Sequence, residues 1–143
     1  MLKAIVTGHG DFSIGLKHAM EMIAGPQENL VAIPFYENEP LETFQDRLAS
    51  EIEKAVLQDA DLLILTDLVG GTPFNNAMIL SHGQAKVEVV AGTNLPMMIE
   101  LVGELMMGST AIAAAETVIA AAKSGVVLGK LGAKESADEE DGI

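Results

Sequence analysis

The chain contains no cysteine, and only one of its eight basic residues is an arginine, Arg47. The absence of cysteine excludes disulfides and thiolate chemistry, and it fits a reducing compartment. The 21 acidic residues give a formal net charge of −13. This charge speaks against nucleic-acid binding, which needs basic patches that neutralise phosphates. A single arginine also forms no phosphate clamp. Because the chain is acidic, we expect protein partners with a basic contact face.

The sequence has no apolar run long enough to span a bilayer, and no signal peptide is visible at its start. Its length of 143 residues suggests one domain, and 49% hydrophobic residues are enough for a core. We therefore expect a soluble, cytoplasmic protein. The folded domain is predicted over residues 1–131, followed by an acidic, disordered tail over residues 132–143.

Apolar residues recur with strand spacing and helix spacing in alternating segments of the chain. Strands are predicted over residues 3–7, 30–35, 61–66, 86–91 and 126–128, and helices over residues 13–24, 41–56, 74–80, 97–106 and 110–122. Strand 61–66 is apolar on both faces, which is typical of a central parallel strand, whereas Pro34 marks an edge strand. The alternation predicts an α/β fold with a doubly wound, mainly parallel open sheet of strand order 2-1-3-4.

Three loops that follow predicted strands carry His9, Asp67 and Asn94, and the fold brings all three to the carboxyl edge of the sheet. Gly8 and Gly10 flank the histidine and allow a tight turn there. A helix begins directly afterwards, with Asp11 or Ser13 as its predicted cap, and the N–H groups of a helix start bind phosphate. We interpret His9 as a residue that carries a phosphoryl group. A purely structural turn histidine is the alternative interpretation.

Asp67 is the candidate partner of the histidine. A carboxylate that accepts a hydrogen bond from one ring nitrogen leaves the other nitrogen free as a nucleophile. The alternative role for Asp67 is a turn cap on a strand-to-helix loop. Candidate groups for binding the phosphoryl oxygens are Gly10, Gly70, Gly71 and Thr72. Thr72 is also the predicted cap of the third helix.

Neither a metal ion nor a cofactor is predicted. The histidines His9, His18 and His82 lack the paired spacing of metal ligands. We interpret His18 as facing solvent and His82 as part of a plain connection. The glycines match neither a dinucleotide-binding fingerprint nor a P-loop, whose lysine is absent.

Three motifs, at residues 5–10, 66–75 and 90–97, together resemble one family. This is the IIA component of mannose-family sugar phosphotransferase systems, and the resemblance covers about residues 1–131. It implies that His9 is phosphorylated by the histidine-containing phosphocarrier protein and passes the phosphoryl group to a IIB component. The IIB component then phosphorylates a sugar entering through a membrane IIC/IID complex. Asp67 matches the family's hydrogen-bonding aspartate, and Thr72 stands where some members have serine.

The resemblance also implies a homodimer whose last strand, here residues 126–131, is exchanged between subunits. The acidic end of the chain, in place of a linker to a fused IIB domain, is typical of a free-standing IIA subunit. The sequence does not identify the sugar.

Three other hypotheses remain open at this point. A phosphocarrier domain of a dihydroxyacetone kinase system shares the fold, but its usual first loop is Ser-His-Ser-like rather than Gly8-His9-Gly10. A histidine phosphatase requires an Arg-His-Gly motif and a phosphate clamp, and both are missing. A non-catalytic module that binds a small ligand in the same polar loops predicts no phosphorylated intermediate.

Overall fold

Four apolar segments of the chain form a parallel sheet in the computed structural model, which describes residues 1–132. The strands are β1 (Leu2–His9), β2 (Leu30–Phe35), β3 (Asp61–Thr66) and β4 (Val87–Val90). Their order is β2-β1-β3-β4 and all neighbours run parallel, so the predicted topology is confirmed. Strand β3 is central, and β2, which contains Pro34, lies at an edge as predicted.

Five helices connect and follow the strands within residues 1–132. They are α1 (Phe12–Ala24), α2 (Leu41–Leu57), α3 (Thr72–Ser81), α4 (Leu95–Met107) and α5 (Ala111–Ser124). Thr110 caps α5, because its hydroxyl oxygen accepts a hydrogen bond from the Ala113 N–H at 3.3 Å. Gly108 ends α4 in the left-handed conformation that glycine adopts without steric cost. None of these helices is both long and apolar enough to cross a membrane.

The helices cover both faces of the sheet and create two apolar layers. Helices α1, α4 and α5 pack on one face, with Met20, Leu101 and Val118 among their buried side chains. Helices α2 and α3 pack on the other face, where Phe44 and Ala77 are buried against the strands. Each large apolar side chain buried in this way contributes about 1.5–3 kcal/mol. The two layers fix the register of the strands and therefore the positions of the loops at the carboxyl edge.

The predicted final strand over residues 126–128 is wrong for the single chain. Val126, Val127 and Leu128 continue beyond α5 without strand structure, and their exposed fractions are 77, 77 and 84%. A strand needs the backbone groups of a neighbour, and within residues 1–132 this segment pairs with no edge of the sheet. The exchange of this segment between subunits stays a prediction. The predicted acidic tail lies outside the described residues from residue 133 onward.

Candidate functional site

Strand β1 delivers His9 to the carboxyl edge of the sheet as its last residue. The strand is anchored just before this point, where the buried Thr7 hydroxyl donates a hydrogen bond to the Ile33 carbonyl at 2.6 Å. The chain then turns away from the sheet at Gly10, which has φ of +56° and donates its N–H to the Phe35 carbonyl at 2.7 Å. As a result, the His9 side chain stands at the surface and is 48% exposed.

Asp67 follows β3 and binds His9 twice. One carboxylate oxygen, Oδ2, lies 2.7 Å from His9 Nδ1 and accepts the His9 backbone N–H at 3.0 Å. The other oxygen accepts the Leu68 N–H at 2.9 Å. Because a carboxylate only accepts hydrogen bonds, Nδ1 must carry the proton. In the neutral ring this leaves Nε2 as the nitrogen with a free electron pair.

The Asp67 carboxylate is held in its charged form by these donors. Its burial acts to raise the pKa, but the hydrogen bonds from the backbone and ring of His9 and from Leu68 N–H outweigh that effect, and the net pKa lies below its ordinary value. Asp67 is therefore an anion at neutral pH. An anion beside Nδ1 also stabilises positive charge on the imidazole ring.

Two glycines are required for this close packing. A Cβ atom on Gly8 would lie 2.6 Å from a Phe12 ring carbon and 3.0 Å from Asp67 Cβ and Cγ. A Cβ atom on Gly71 would lie 3.0 Å from His9 Cε1. The ring of Phe35 meets the imidazole edge to face, with centroids 5.6 Å apart. The imidazole is thus confined by a carboxylate, an aromatic ring and a glycine backbone.

The loop from Asp67 ends at the start of α3 beside the histidine. Gly71 is the N-cap residue, and Thr72 is the first helical residue, so the prediction that Thr72 caps the helix is wrong by one position. The physical reason is that Gly71 is extended, with φ −74° and ψ 165°, and turns the chain into the helix before Thr72. Within residues 1–132 the Thr72 hydroxyl makes no hydrogen bond, so it is available as a donor.

The third predicted loop supports the site rather than entering it. The Asn94 side chain caps α4, accepting the Met97 N–H at 3.1 Å, and it donates to the Ala122 carbonyl at 3.0 Å. Its neighbours hold the base of the Asp67 loop instead. Gly92 N–H donates to the Asp67 carbonyl at 3.2 Å. The Thr93 hydroxyl donates at 2.7 Å to the carbonyl of the last residue of β3, which directly precedes Asp67.

A cleft of about 400 Å³ adjoins His9, and its far wall comes from Phe35 at the end of β2 and from the loop that follows, residues 36–38. Tyr36 in this loop donates its hydroxyl hydrogen to Asp11 Oδ1 at 2.6 Å. Asp11 stands at the N-cap position of α1 without capping it, and Ser13 lies inside the helix, so the predicted cap of α1 is wrong. The bond to Asp11 and the nearby negative charges raise the pKa of Tyr36. The only sequence signal for Tyr36 is a lone tyrosine directly after an edge strand.

The remaining histidines lie apart from the site. His18 is exposed on α1 and His82 stands at the end of α3. Within residues 1–132 no three acidic, histidine or cysteine side chains group as metal ligands.

Fold and site together define an α/β domain whose candidate nucleophile is a histidine oriented by a carboxylate. The family model described as PTS system fructose IIA component, where PTS denotes the phosphotransferase system, matches residues 3–120. The chain therefore belongs to this mannose-type family of IIA components of sugar phosphotransferase systems. The predicted family is confirmed, and the match does not favour the three alternative hypotheses.

Individual relatives agree with this assignment. The chain is 37% identical over 101 residues to the PTS system fructose-specific EIIA component of Bacillus subtilis, covering 71% of this chain and 68% of that protein. The crystal structure of phosphotransferase system component EIIA from Streptococcus agalactiae aligns with a TM-score of 0.76 at 34% identity, over 90% of this chain and 97% of that one. The mannose/sorbose specific IIA subunit from Enterococcus faecalis aligns with a TM-score of 0.80 at 28% identity, over 91% and 96% of the two chains.

Proposed function

We propose that His9 accepts a phosphoryl group from the histidine-containing phosphocarrier protein and donates it to a IIB component. The observation that carries this proposal is the pair of hydrogen bonds from His9 to Asp67 Oδ2, at 2.7 Å from Nδ1 and 3.0 Å from the backbone N–H. They fix the tautomer in which Nε2 is the nucleophile. They also fix the position of the ring relative to the backbone that carries it.

During the transfer the accepting imidazole ring of His9 neither gains nor loses a proton. The Nε2 electron pair of His9 forms a bond to phosphorus while the bond from phosphorus to the donor's ring nitrogen breaks, and that electron pair stays on the donor nitrogen. The Nδ1 proton remains between His9 and Asp67, whose negative charge stabilises the ring as positive charge develops. Donation to the IIB component is the same step in reverse, with a histidine of the partner as nucleophile.

We propose the start of α3 as the site of the phosphoryl oxygens. The Thr72 N–H lies at the start of α3, where helix N–H groups lack intrahelical partners, and within residues 1–132 its hydroxyl has no hydrogen-bond partner. Gly70 and Gly71 allow a close approach of the phosphoryl group, because neither carries a side chain. Gly10 contributes space rather than a donor, since its N–H is already bonded to the Phe35 carbonyl at 2.7 Å. Such positioning and electrostatic support are most of what phosphoryl transfer requires.

The decisive test is the intact mass of the protein after incubation with phosphoenolpyruvate, enzyme I and the phosphocarrier protein at mildly alkaline pH. We expect one acid-labile phosphoryl group on the wild type and on His18→Ala, which removes an exposed histidine of α1. We expect none on His9→Ala. A wild type that stays unmodified, while both general proteins phosphorylate a known IIA component, would refute the proposal.

We also propose that the chain acts in the cytoplasm as a homodimer, in which residues 126–131 pair with a second copy. Support comes from the exposed apolar side chains of that segment and from the edge strands that the single chain leaves unpaired. A chain ending at Ser124 is expected to be monomeric or aggregated in light scattering, whereas a chain ending at residue 132 should remain dimeric. An intact dimer from the shorter chain would contradict the exchange. The membrane IIC/IID complex is engaged only through the IIB component.

A further inference from the structure

Asn75, in the first turn of α3, is bonded to the loop that confines the histidine. Its side-chain Nδ2 donates to the Gly70 carbonyl at 3.0 Å, and its backbone N–H donates to the Gly71 carbonyl at 2.9 Å. One residue therefore holds two consecutive carbonyl groups of the loop. The backbone bond belongs to the start of the helix and any residue other than proline would make it. The side-chain bond requires a residue whose side chain donates a hydrogen bond, as asparagine does.

The loop needs such a restraint because it contains two adjacent glycines. Gly70 has φ of +82°, and neither glycine has a side chain that limits rotation of the peptide between them. The N–H of this peptide makes a long bond, from Gly71 to the Leu68 carbonyl at 3.3 Å, so the shorter bond to Asn75 is the stronger restraint. If that peptide rotated, the Gly70 carbonyl oxygen would swing out of its bond with Asn75. A carbonyl oxygen turned toward a phosphoryl group would repel it, whereas N–H groups turned toward it attract it.

The same loop passes close beside the nucleophile. The α-carbon of Gly71 lies so close to the imidazole that an added Cβ would be 3.0 Å from His9 Cε1. Thr72, whose hydroxyl has no partner within residues 1–132, follows directly. The hydrogen bond from the Asn75 amide therefore holds the segment of backbone that passes beside the ring of His9.

We propose that Asn75 is a positioning residue for phosphoryl transfer. By holding the Gly70 carbonyl it fixes the peptide between the two glycines, keeps Gly71 against the imidazole, and aims the Thr72 donors at the phosphoryl group. This inference rests on the proposed function of His9. It adds a residue whose effect acts through the loop and not through contact with the reacting atoms.

The test uses Asn75→Asp, which has the shape of asparagine but cannot donate to the Gly70 carbonyl. The matched control is Gln27→Glu, which makes the same amide-to-carboxylate change away from the site. Gln27 Nε2 donates to the carbonyl of Gly25 at 3.2 Å, just beyond the end of α1, and Gly25 has a positive φ of +83° as Gly70 does. Asn75→Ala removes the donor without adding charge.

We expect Asn75→Asp and Asn75→Ala to lower kcat for phosphorylation by about 10- to 100-fold, the range found for outer partners of metal ligands, which also act by positioning another group. KM for the phosphocarrier protein should change little, and Gln27→Glu should behave like the wild type. In the absence of any partner protein, the phosphorylated Asn75 variants should lose the phosphoryl group to water at a rate that differs from that of the phosphorylated wild type. The Gly70 and Gly71 amides should show increased motion in ¹⁵N relaxation of the unphosphorylated variants.

The outcomes separate this inference from the proposed function. A wild type without phosphorylation would remove the function of His9 and this role with it. Active wild type together with unchanged kcat in both Asn75 variants, with their native fold verified by circular dichroism, would refute the positioning role alone. A rise in KM with unchanged kcat and unchanged hydrolysis would also refute it, because Asn75 would then be a docking contact.

Discussion

Asp67→Asn is the sharpest test of how the site prepares His9, because it changes the chemistry of one side chain and hardly its shape. The carboxylate uses Oδ2 for two hydrogen bonds from His9 and Oδ1 for one from Leu68. An amide has only one oxygen. If that oxygen faces His9, its NH₂ group opposes the Leu68 N–H. If it faces Leu68, the NH₂ group forces Nδ1 to accept, and the proton then moves to Nε2.

Both arrangements slow the transfer, and the size of the decrease in rate can be worked out from the hydrogen bonds that the carboxylate makes. A hydrogen bond to a charged group contributes about 1.5–3 kcal/mol, and the variant loses the charge in either arrangement. Since about 1.4 kcal/mol corresponds to a tenfold change in rate, phosphorylation of His9 should slow by about 10- to 150-fold. In the second arrangement the nucleophile is also blocked by its proton, which places the effect at the upper end.

The assay is the rate of phosphoryl transfer from the phosphocarrier protein, together with ¹⁵N NMR of the imidazole to identify the protonated nitrogen. The matched control is Asp59→Asn, which removes one exposed carboxylate on the loop between α2 and β3. Asp59 has φ of +53°, a conformation that asparagine tolerates, so this variant should fold and react like the wild type. A rate equal to that of the wild type in Asp67→Asn, with Nδ1 still protonated, would refute the proposed role of the carboxylate.

The same variant has a defined pH dependence. The pKa of Asp67 lies below its ordinary value of 3.8 in the folded protein, because the donors of His9 and Leu68 outweigh the effect of burial. A lowered pKa means that the charged carboxylate stabilises the fold above about pH 4 and that this stability is lost as the pH falls through the folded pKa. The difference in free energy of unfolding between wild type and Asp67→Asn should therefore shrink under acid conditions. A difference that stays constant from neutral to acid pH would contradict this assignment.

Three further predictions address the surroundings of the histidine. Gly71→Ala should slow phosphorylation while the fold is retained, because its methyl group would lie 3.0 Å from the His9 ring; an unchanged rate would show that the ring has room to move. Gly8→Ala should lower the free energy of unfolding by about 1–3 kcal/mol, because its Cβ would lie 2.6 Å from a phenylalanine ring and overpack the site. An unchanged denaturation midpoint would contradict this. Tyr36 should titrate above its ordinary pKa of 10.0 in ultraviolet absorbance, and Asp11→Asn should lower that value.

The sequence predicts those features of the molecule that depend on local patterns. The apolar strand around Ile64 predicts a central place for β3, and Pro34 predicts an edge place for β2. Strand order 2-1-3-4 follows when these places are combined with a doubly wound topology in which strands 1 and 3 are neighbours. The His9 and Asp67 pairing is also predictable, because each residue ends a neighbouring parallel strand and such loops meet at one edge. These two predictions need only the identity of residues and their places relative to strands.

Other features depend on geometry between distant loops and leave no pattern in the sequence. Tyr36 binds Asp11 across a cleft, so the capping role that the sequence suggests for Asp11 is lost to a partner 25 residues away. Asn94 has the predicted place at the sheet edge, but its side chain is used in capping α4, and Thr93 supports the Asp67 loop instead. The segment 126–128 fails as a strand for a related reason, since within residues 1–132 it pairs with neither edge of the sheet.

The scarcity of arginine has a consequence for a carrier that must release what it binds. If a guanidinium clamped the phosphoryl group on His9, it would stabilise the phosphorylated protein as well as the transition state, and donation would then slow. The only arginine, Arg47, is instead paired with Glu39. The groups proposed around the phosphoryl oxygens are an N–H and a neutral hydroxyl from Thr72, which bind more weakly than charged donors. Asp67 acts on Nδ1, the side of the ring away from Nε2, which is the nitrogen that we propose carries the phosphoryl group. On this proposal the site favours the charged ring that both directions of transfer share, and the neutral donors of Thr72 do not hold the phosphoryl group strongly.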